Sequence, residues 1–324
     1  MSPRAPVAVF TYDRPRHLRR TLEALARCPG FATGRLHLYC DAPARAADGP
    51  SCDAARRVAR DWVRRRGGRL IERDGNRGFR NITDAISELC AGFGRVVVIE
   101  DDVVVSPDFL GYVERGLDRY ANDPRVFLIG GYMFAADHPP EPPLFFLPVA
   151  LAWGWATWER AWKQYEYLPR DWQGVLSDAQ SRRRFDVGGS FPYARTLRRT
   201  MEGKFDSWDT QWYFTLFRAG GLGLYPARSL VWNSGIDGGV HGRLGRKALD
   251  RTHPVFHGEL ARDDFAAPRL PPGWPFPGEV GVDAPALARL GRALARIHAM
   301  GSPGKRIRPL PEIRDRRETG GRAG

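Results

Sequence analysis

Three adjacent acids, Glu100, Asp101 and Asp102, interrupt a largely apolar stretch between residues 96 and 109. A continuous run of valine and isoleucine is typical of a strand that is buried on both faces. Unpaired charge inside such a strand is too costly, so the acids must lie at its carboxyl end and face a cleft, a cation or a ligand. Ligands bind at this edge of open α/β sheets. The segment therefore predicts the centre of an active site.

The chemistry that fits three carboxylates at one strand end is the binding of a hard divalent cation. Mg²⁺ and Mn²⁺ take carboxylate oxygens and share their coordination with the phosphates of a substrate. The alternative is a strand followed by a solvated acidic turn. Apolar residues flank the acids on both sides, which fits a surface loop poorly and favours a metal-binding and polyol-binding site.

Strands and helices alternate along the first part of the chain, which predicts a mostly parallel sheet with helices on both faces. Ser106 is expected to cap a helix whose first residue is Pro107. The hydrophobic patterns predict strands at 7–11, 36–40, 69–72 and 126–130 besides the acidic strand, and helices at about 52–66, 179–199, 209–218 and 284–300.

Charge and cysteine content limit the classes of partner and compartment. The net charge of +13 fits nucleic acid, an anionic membrane surface, or phosphate-rich substrates in an arginine-biased sequence. No nucleic-acid module is recognisable, so peripheral contact with an anionic membrane is favoured over nucleic acid. Four scattered cysteines and an N-terminus without a signal peptide or membrane span predict a cytoplasmic protein, including one at the inner face of the plasma membrane.

Tryptophan is abundant: of the ten residues, five lie between 153 and 172 and three between 208 and 232. Clustered tryptophans form either a plain hydrophobic core or the wall of a sugar-binding cleft, where flat rings stack on the sugar. The sequence leaves both readings open.

Several short motifs occur in a recognisable order: Thr11-Tyr12-Asp13-Arg14-Pro15 after the first strand, Asp41 after the second, the acidic trio, Gly154-Trp155, and Trp208-Asp209. Over residues 5–245 the chain resembles the nucleotide-sugar glycosyltransferases of the GT-A fold. It looks most like the N-acetylglucosaminyltransferase I family, and also like bacterial sugar transferases that carry Gly-Trp-Ala-Thr-Trp and Ser-Trp-Asp-x-Gln-Trp blocks.

The resemblance implies an α/β protein, a GT-A type Rossmann-like three-layer sandwich with a mostly parallel central sheet and a C-terminal aromatic-rich acceptor region. We expect residues 1–135 to form the nucleotide-sugar-binding half of one domain. Residues 136–265 would form its acceptor-binding and catalytic-base half. Residues 266–324 would add a proline-rich arm, a helix and a basic tail.

The resemblance also implies roles for individual residues. Arg14 and Asp41 match positions that contact the uracil and its ribose in that family. Glu100 would face the donor sugar, Asp101 the ribose, and Asp102 would hold the metal, usually Mn²⁺, with Mg²⁺ as the other candidate. Asp209 matches the catalytic base, and His241 matches a residue on a mobile loop that meets the diphosphate. Further candidates are Asn76, Arg80 and Asn81 for the donor, and Trp155, Trp158 and Trp208 for the acceptor.

Each of these roles has a structural alternative. Asp209 could simply cap the helix that follows it, with Asp206 as the nearest rival base. His241 could be structural or exposed, and Arg243 and Arg246 are additional phosphate candidates. The polar residues between 76 and 81 could serve only turn and cap chemistry.

The sequence therefore predicts a metal-dependent inverting glycosyltransferase. It would move a sugar from a nucleotide diphosphate donor, with UDP-sugar and UDP-GlcNAc as leading candidates, to a saccharide or glycolipid hydroxyl in bacterial glycan assembly. A sugar-phosphate nucleotidyltransferase is the first alternative, although the expected glycine-rich loop after the first strand is missing. A non-enzymatic carbohydrate-binding module is the second, and it would have no need for three acids at a buried strand end.

Overall fold

The computed structural model describes residues 4–134, 143–237 and 277–300, with backbone alone for 296–300. Within these residues the strands are β1 (Val7–Thr11), β2 (Leu36–Cys40), β3 (Arg69–Glu72), β4 (Arg95–Glu100), β5 (Val103–Val105), β6 (Val126–Gly130), β7 (Leu144–Leu147), β8 (Trp155–Trp158), β9 (Leu222–Pro226) and β10 (Val231–Asn233). The helices are α1 (Pro15–Ala26), α2 (Gly49–Arg66), α3 (Arg80–Phe93), α4 (Phe109–Arg119), α5 (Glu159–Trp162), α6 (Trp172–Ser177), α7 (Ala179–Phe185), α8 (Tyr193–Met201), α9 (Trp208–Arg218) and α10 (Ala284–Met300).

Eight strands form one central sheet in the order β3-β2-β1-β4-β8-β6-β9-β7. The strands β3, β2, β1 and β4 pair in parallel, and β8 and β7 run against their neighbours. The sheet is therefore mostly parallel, as predicted for a GT-A type Rossmann-like fold. A separate two-stranded antiparallel ribbon joins β10 to β5.

The chain reverses direction across the sheet at β1. It runs outward from β1 to β2 and β3, and then returns to β4 on the other side of β1. Right-handed crossovers place α1 and α2 on one face of the sheet and α3 on the other. This arrangement opens a crevice beyond the carboxyl ends of β1 and β4, where open α/β sheets bind their ligands.

The predicted elements are present with three differences at their ends. The helix expected to begin at Pro107 begins at Phe109, and the hydroxyl of Ser106 accepts a hydrogen bond from the backbone N–H of Asp108 instead of capping the helix. The helix expected near Cys52 begins earlier, at Gly49. The pattern between 179 and 199 forms two helices, α7 and α8; the first ends at Phe185, and Val187, Gly188 and Gly189 follow it with positive φ.

Much of the tryptophan cluster belongs to the hydrophobic core. Trp155 and Trp212 are fully buried, and the centres of their rings lie 5.8 Å apart. Trp162 packs on both of them, with centroid distances of 6.0 Å and 5.0 Å. These rings join β8 to α5 and α9, so they fix the position of the helix that carries Asp209.

We expect the substitution Trp155→Ala to lower the free energy of unfolding by about 3–5 kcal/mol, because it leaves a large cavity between β8 and α9. The matched control is Phe93→Ala, whose ring is 52% exposed and which should change stability by less than about 0.5 kcal/mol. Urea unfolding followed by circular dichroism measures both. Equal effects of the two substitutions would contradict the assignment of Trp155 to the core.

Candidate active site

A cavity of about 790 Å³ occupies the crevice at the carboxyl edge of the sheet. Its volume lies within the range of about 300–1,000 Å³ that is common for small-molecule sites. The structure brings many of the predicted site residues to its wall: Arg14, Asp41, Asn76, Asn81, Glu100, Asp101, Asp102, Trp208 and Asp209.

The backbone of the acidic turn is held from two sides. Glu100 ends β4, and the chain turns through Asp101 and Asp102 into β5. The buried hydroxyl of Thr21, in α1, donates to the carbonyl oxygen of Asp101 at 2.7 Å. On the opposite side, the backbone N–H of Ser234 donates to the carbonyl oxygen of Asp102 at 2.7 Å. These contacts fix the turn between α1 and the end of β10.

The side chains of the turn are bound to residues at the end of β1 and directly after it. The carboxylate of Asp101 accepts hydrogen bonds from the hydroxyl of Thr11 at 2.7 Å and from the backbone N–H of Tyr12 at 3.3 Å. The Oδ2 atom of Asp102 accepts a hydrogen bond from Nη1 of Arg14 at 2.6 Å. The site thus carries three carboxylates close to a single bound guanidinium.

This excess of negative charge changes the protonation of the acids. Burial raises the pKa of Glu100 well above its usual value, and the charges of Asp102, Asp101 and Asp209 raise it further. Burial, followed by the charge of Asp102, raises the pKa of Asp101 to about 7. Burial is thus the larger cause for both acids, and repulsion among the carboxylates adds to it.

Gly235 approaches the acidic turn so closely that a side chain would not fit. A Cβ atom built at this position would lie 2.1 Å from Oδ2 of Asp102 and 2.8 Å from Nη1 of Arg14. The segment after β10 therefore covers the ion pair between these two residues.

Asp41 and its neighbours connect the cavity to the loop before α3. The carboxylate of Asp41 accepts hydrogen bonds from the backbone N–H of Arg77 at 3.0 Å and from the amide of Asn76 at 3.3 Å. The Oδ1 atom of Asn81 accepts a hydrogen bond from Nε of Arg73 at 2.9 Å. These hydrogen bonds are the turn chemistry that was considered from sequence. The same three residues, Asp41, Asn76 and Asn81, also lie on the cavity wall.

Arg80 does not lie on the cavity wall, which corrects its expected position. Its guanidinium carbon lies 4.3 Å from the centre of the Tyr167 ring, and Arg80 is not among the residues on the cavity wall. As the first residue of α3, it projects toward the segment before α6. Its charge acts on Asp206, whose pKa is raised by burial and by Asp209 and lowered by Arg80.

Asp209 lies in the first turn of α9 and faces the cavity. The helix cap is Ser207, whose hydroxyl accepts a hydrogen bond from the backbone N–H of Thr210. Ser207 also donates to the carboxylate of Asp209. The capping role considered for Asp209 therefore belongs to Ser207. Asp206 lies on the same cavity wall.

The predicted acceptor tryptophans separate into two groups. Trp208 lines the cavity, and its ring stacks on Trp155 with centroids 6.0 Å apart. Trp155 is fully buried, and Trp158 is 5% exposed with its Nε1 atom bonded to the carbonyl oxygen of Leu117 at 3.1 Å. Neither of these two lines the cavity, so the expectation that they stack on an acceptor sugar is wrong. Residues three apart on a strand point to opposite faces, and here both faces are covered.

Several cavity residues were not expected from sequence. The hydroxyl of Tyr12 donates to Oδ2 of Asp48 at 2.8 Å and accepts from the backbone N–H of Ala44 at 2.8 Å. Arg45 donates to Oδ1 of Asp48 at 2.8 Å. The rule that located the acidic trio, position directly after a buried strand, also applies to Tyr12. The loop that brings Asp48 to the cavity gave no such signal. His241, Arg243 and Arg246 lie outside the described residues.

Comparison with known proteins agrees with this arrangement. The family model described as "Glycosyltransferase like family 2" matches residues 3–179. This match covers more than half of the chain, so the chain belongs to the glycosyltransferase like family 2.

Three solved structures that match this chain have low sequence identity to it. A mannosyltransferase from Pyrobaculum calidifontis in complex with GDP-Man and Mn²⁺ is 18% identical, with 93% of this chain and 71% of that chain covered and a TM-score of 0.40. TarS from S. aureus (residues 1–349) is 9% identical, with coverages of 92% and 71% and a TM-score of 0.44. Mouse xyloside xylosyltransferase 1 is 13% identical, with coverages of 66% and 81% and a TM-score of 0.34. No curated protein matched the sequence.

The raised pKa of Asp101 predicts a pH dependence of stability. Between its ordinary value of about 3.9 and the folded value of about 7, the folded protein binds more protons than the unfolded chain. The free energy of unfolding of the metal-free protein should therefore fall as pH rises through this window, by up to about 1.4 kcal/mol per pH unit for this one group.

Urea unfolding in the presence of a chelator, across this pH window, measures the slope. The Asp101→Asn variant keeps an oxygen that can accept the hydrogen bond of Thr11 but cannot ionise, so its slope should be smaller. Identical slopes for the two proteins would contradict the raised pKa of Asp101.

Proposed function

We propose that this protein is a metal-dependent inverting glycosyltransferase that uses a UDP-sugar, with UDP-GlcNAc as the leading candidate. Its acceptor would be a saccharide or glycolipid hydroxyl in bacterial glycan assembly. The observation that carries the proposal is the placement of three carboxylates and Asp209 on one cavity wall at the reversal point of the sheet. The preference for UDP and for inversion rests on the resemblance to the N-acetylglucosaminyltransferase I family.

The residues of the acidic turn fit a divalent cation such as Mn²⁺ or Mg²⁺ in their chemistry. They supply oxygen ligands of the kind that these hard cations prefer, and the acids exceed the nearby positive charge. Within the described segments, no group of three or more His, Cys, Asp or Glu side chains is already arranged to hold a metal ion. Asp102 would be the protein's anchor, with the donor phosphates supplying further oxygens. The cation would offset the charge that gathers on the diphosphate leaving group.

Arg14 has two tasks in this proposal. It neutralises Asp102 through the ion pair at 2.6 Å, and its guanidinium lies on the cavity wall where it can contact the nucleotide. Asp41, Asn76 and Asn81 would shape the nucleotide site from the neighbouring strand edge. Glu100 would face the donor sugar, between the nucleotide and Asp209.

The transfer itself requires one base. The carboxylate of Asp209 would take the proton from the acceptor hydroxyl as the acceptor oxygen forms its bond to C1 of the donor sugar. The bond between C1 and the phosphate oxygen breaks at the same time, and its electron pair leaves with the nucleoside diphosphate. The hydrogen bond from Ser207 orients Asp209, and buried Trp208 helps to exclude water from this part of the site.

The location of the protein is also part of the proposal. We place it in the cytoplasm, with peripheral contact to an anionic membrane supported by its net charge of +13. The four cysteines are buried and unpaired, as a reducing compartment would leave them. Among the described helices, none is long and apolar enough to cross a bilayer.

A UDP-sugar together with Mn²⁺ should stabilise the protein, since ligand at about 100 times its Kd adds about 2.7 kcal/mol. Thermal shift with UDP-, GDP- and dTDP-sugars, each with and without Mn²⁺, measures this. The variant Asp102→Asn should lose the increment that depends on Mn²⁺. Stabilisation by every nucleotide without any metal effect would argue against the proposed function.

The variant Asp209→Asn should retain donor binding and lower kcat by about 10²–10⁴-fold, because an amide cannot accept the acceptor proton. The matched control is Asp206→Asn, which changes a neighbouring acid on the same cavity wall and should keep most of the activity. Transfer rates with a radiolabelled donor would report both. Full activity of the first variant would remove Asp209 as the base.

A further inference from the structure

The cavity continues along the sheet edge beyond the acidic turn. In the sheet, β8 and β6 follow β4 on the side away from β1. The residues just before β8 and just after β6 line the same cavity as the carboxylates. The cavity therefore has a first half at β2, β1 and β4, and a second half at β8 and β6.

The second half differs from the first in the chemistry of its wall. We call it the apolar half and define it by Phe134, Leu151, Trp153, Phe191, Phe205 and Leu294, which all line the cavity. The charged residues on the wall, by contrast, come from the first half and from the start of α9. In the described part of the chain, the segments 132–134, 150–153 and 191–196 contribute no charged side chain to the cavity.

Asp209 stands at the border between the two halves. Glu100 at the end of β4 and Phe205 of the apolar half, four residues before Asp209, line the same cavity as Asp209. An acceptor whose hydroxyl reaches Asp209 can therefore extend the rest of its structure along the apolar half.

A bare saccharide matches only part of this wall, where Tyr132, Tyr193 and Thr196 carry hydroxyl groups. Each sugar hydroxyl that leaves water without a hydrogen-bond partner costs free energy. Aromatic rings can compensate by stacking on a sugar face, but Leu151 and Leu294 offer neither a flat ring nor a polar group. Apolar groups, in contrast, gain by contact with this surface.

We propose that the acceptor is amphiphilic: it presents its reacting hydroxyl to Asp209 and places an attached aliphatic or aromatic group in the apolar half. This inference rests on the proposed function and narrows its acceptor class. The transfer step is unchanged. The hydroxyl proton goes to the carboxylate, the new bond forms to the sugar C1, and the nucleoside diphosphate leaves with the electron pair of the broken bond.

The test measures binding without turnover, so the natural donor need not be known. The full chain is saturated with UDP and Mn²⁺ and titrated calorimetrically with methyl, butyl, hexyl and phenyl β-D-glucosides below their micelle concentrations. Affinity should rise about fourfold for each methylene that enters the apolar half. A stronger response to the alkyl series indicates a lipid-like acceptor, and a stronger response to phenyl indicates an aromatic one.

Two variants test whether this dependence arises in the cavity. Phe205→Ser and Phe134→Ser should reduce the ratio of hexyl to methyl affinity at least tenfold. The matched control is Phe93→Ser, which removes an exposed phenylalanine outside the cavity wall and should leave the ratio unchanged. The thermal shift produced by UDP and Mn²⁺ in each variant shows that it is folded. Should the variants not fold, the chain-length series on the unaltered protein decides alone.

Equal affinity for methyl and hexyl glucoside would overturn the inference. An equal reduction of the ratio of hexyl to methyl affinity in all three variants would also overturn it, because it would indicate non-specific surfactant binding. The proposed function has a separate readout in the same samples. Loss of the response to UDP and Mn²⁺ counts against the function itself. A retained response without chain-length dependence counts only against the amphiphilic acceptor.

Discussion

The site depends on the compensation of negative charge at the end of a buried strand. Asp101 and Asp102 cannot be solvated fully at this position, so the fold supplies donors from β1 and α1: the hydroxyl of Thr11, the backbone N–H of Tyr12 and the guanidinium of Arg14. Thr21 fixes the backbone of the same turn. The first strand and helix therefore serve both as sheet architecture and as the counter-charge of the site.

This compensation is incomplete, and the incompleteness gives the site its chemical character. The pKa of Glu100 remains well above its usual value, mainly through burial, and that of Asp101 rises to about 7. A site with unsatisfied negative charge attracts cations and ligands that bring cations with them. The cation and the diphosphate of the proposed reaction would answer that requirement.

Some aromatic residues stabilise the fold, and others line the cavity. Trp155, Trp162 and Trp212 form a buried cluster that holds β8, α5 and α9 together. That cluster sets the position of Asp209 relative to the acidic turn without contacting a ligand. Some of the rings on the cavity wall, such as Trp153 and Phe191, come from loops. Loops supply the variable part of the site, while the packed strands and helices supply its fixed part.

The sequence by itself determined the α/β class, the main strands and helices, the position of the acids at a strand end, and their association with Arg14, Asp41 and Asp209. These features follow from local periodicity, from the cost of burying charge, and from a recognisable order of motifs. Only the tertiary structure decided which face each side chain occupies. Trp155 and Trp158 are core residues because both faces of β8 are covered, and the guanidinium of Arg80 packs on the ring of Tyr167. Asp48 and the apolar half reach the site through loops and helices distant in sequence, and no local pattern encodes such contacts.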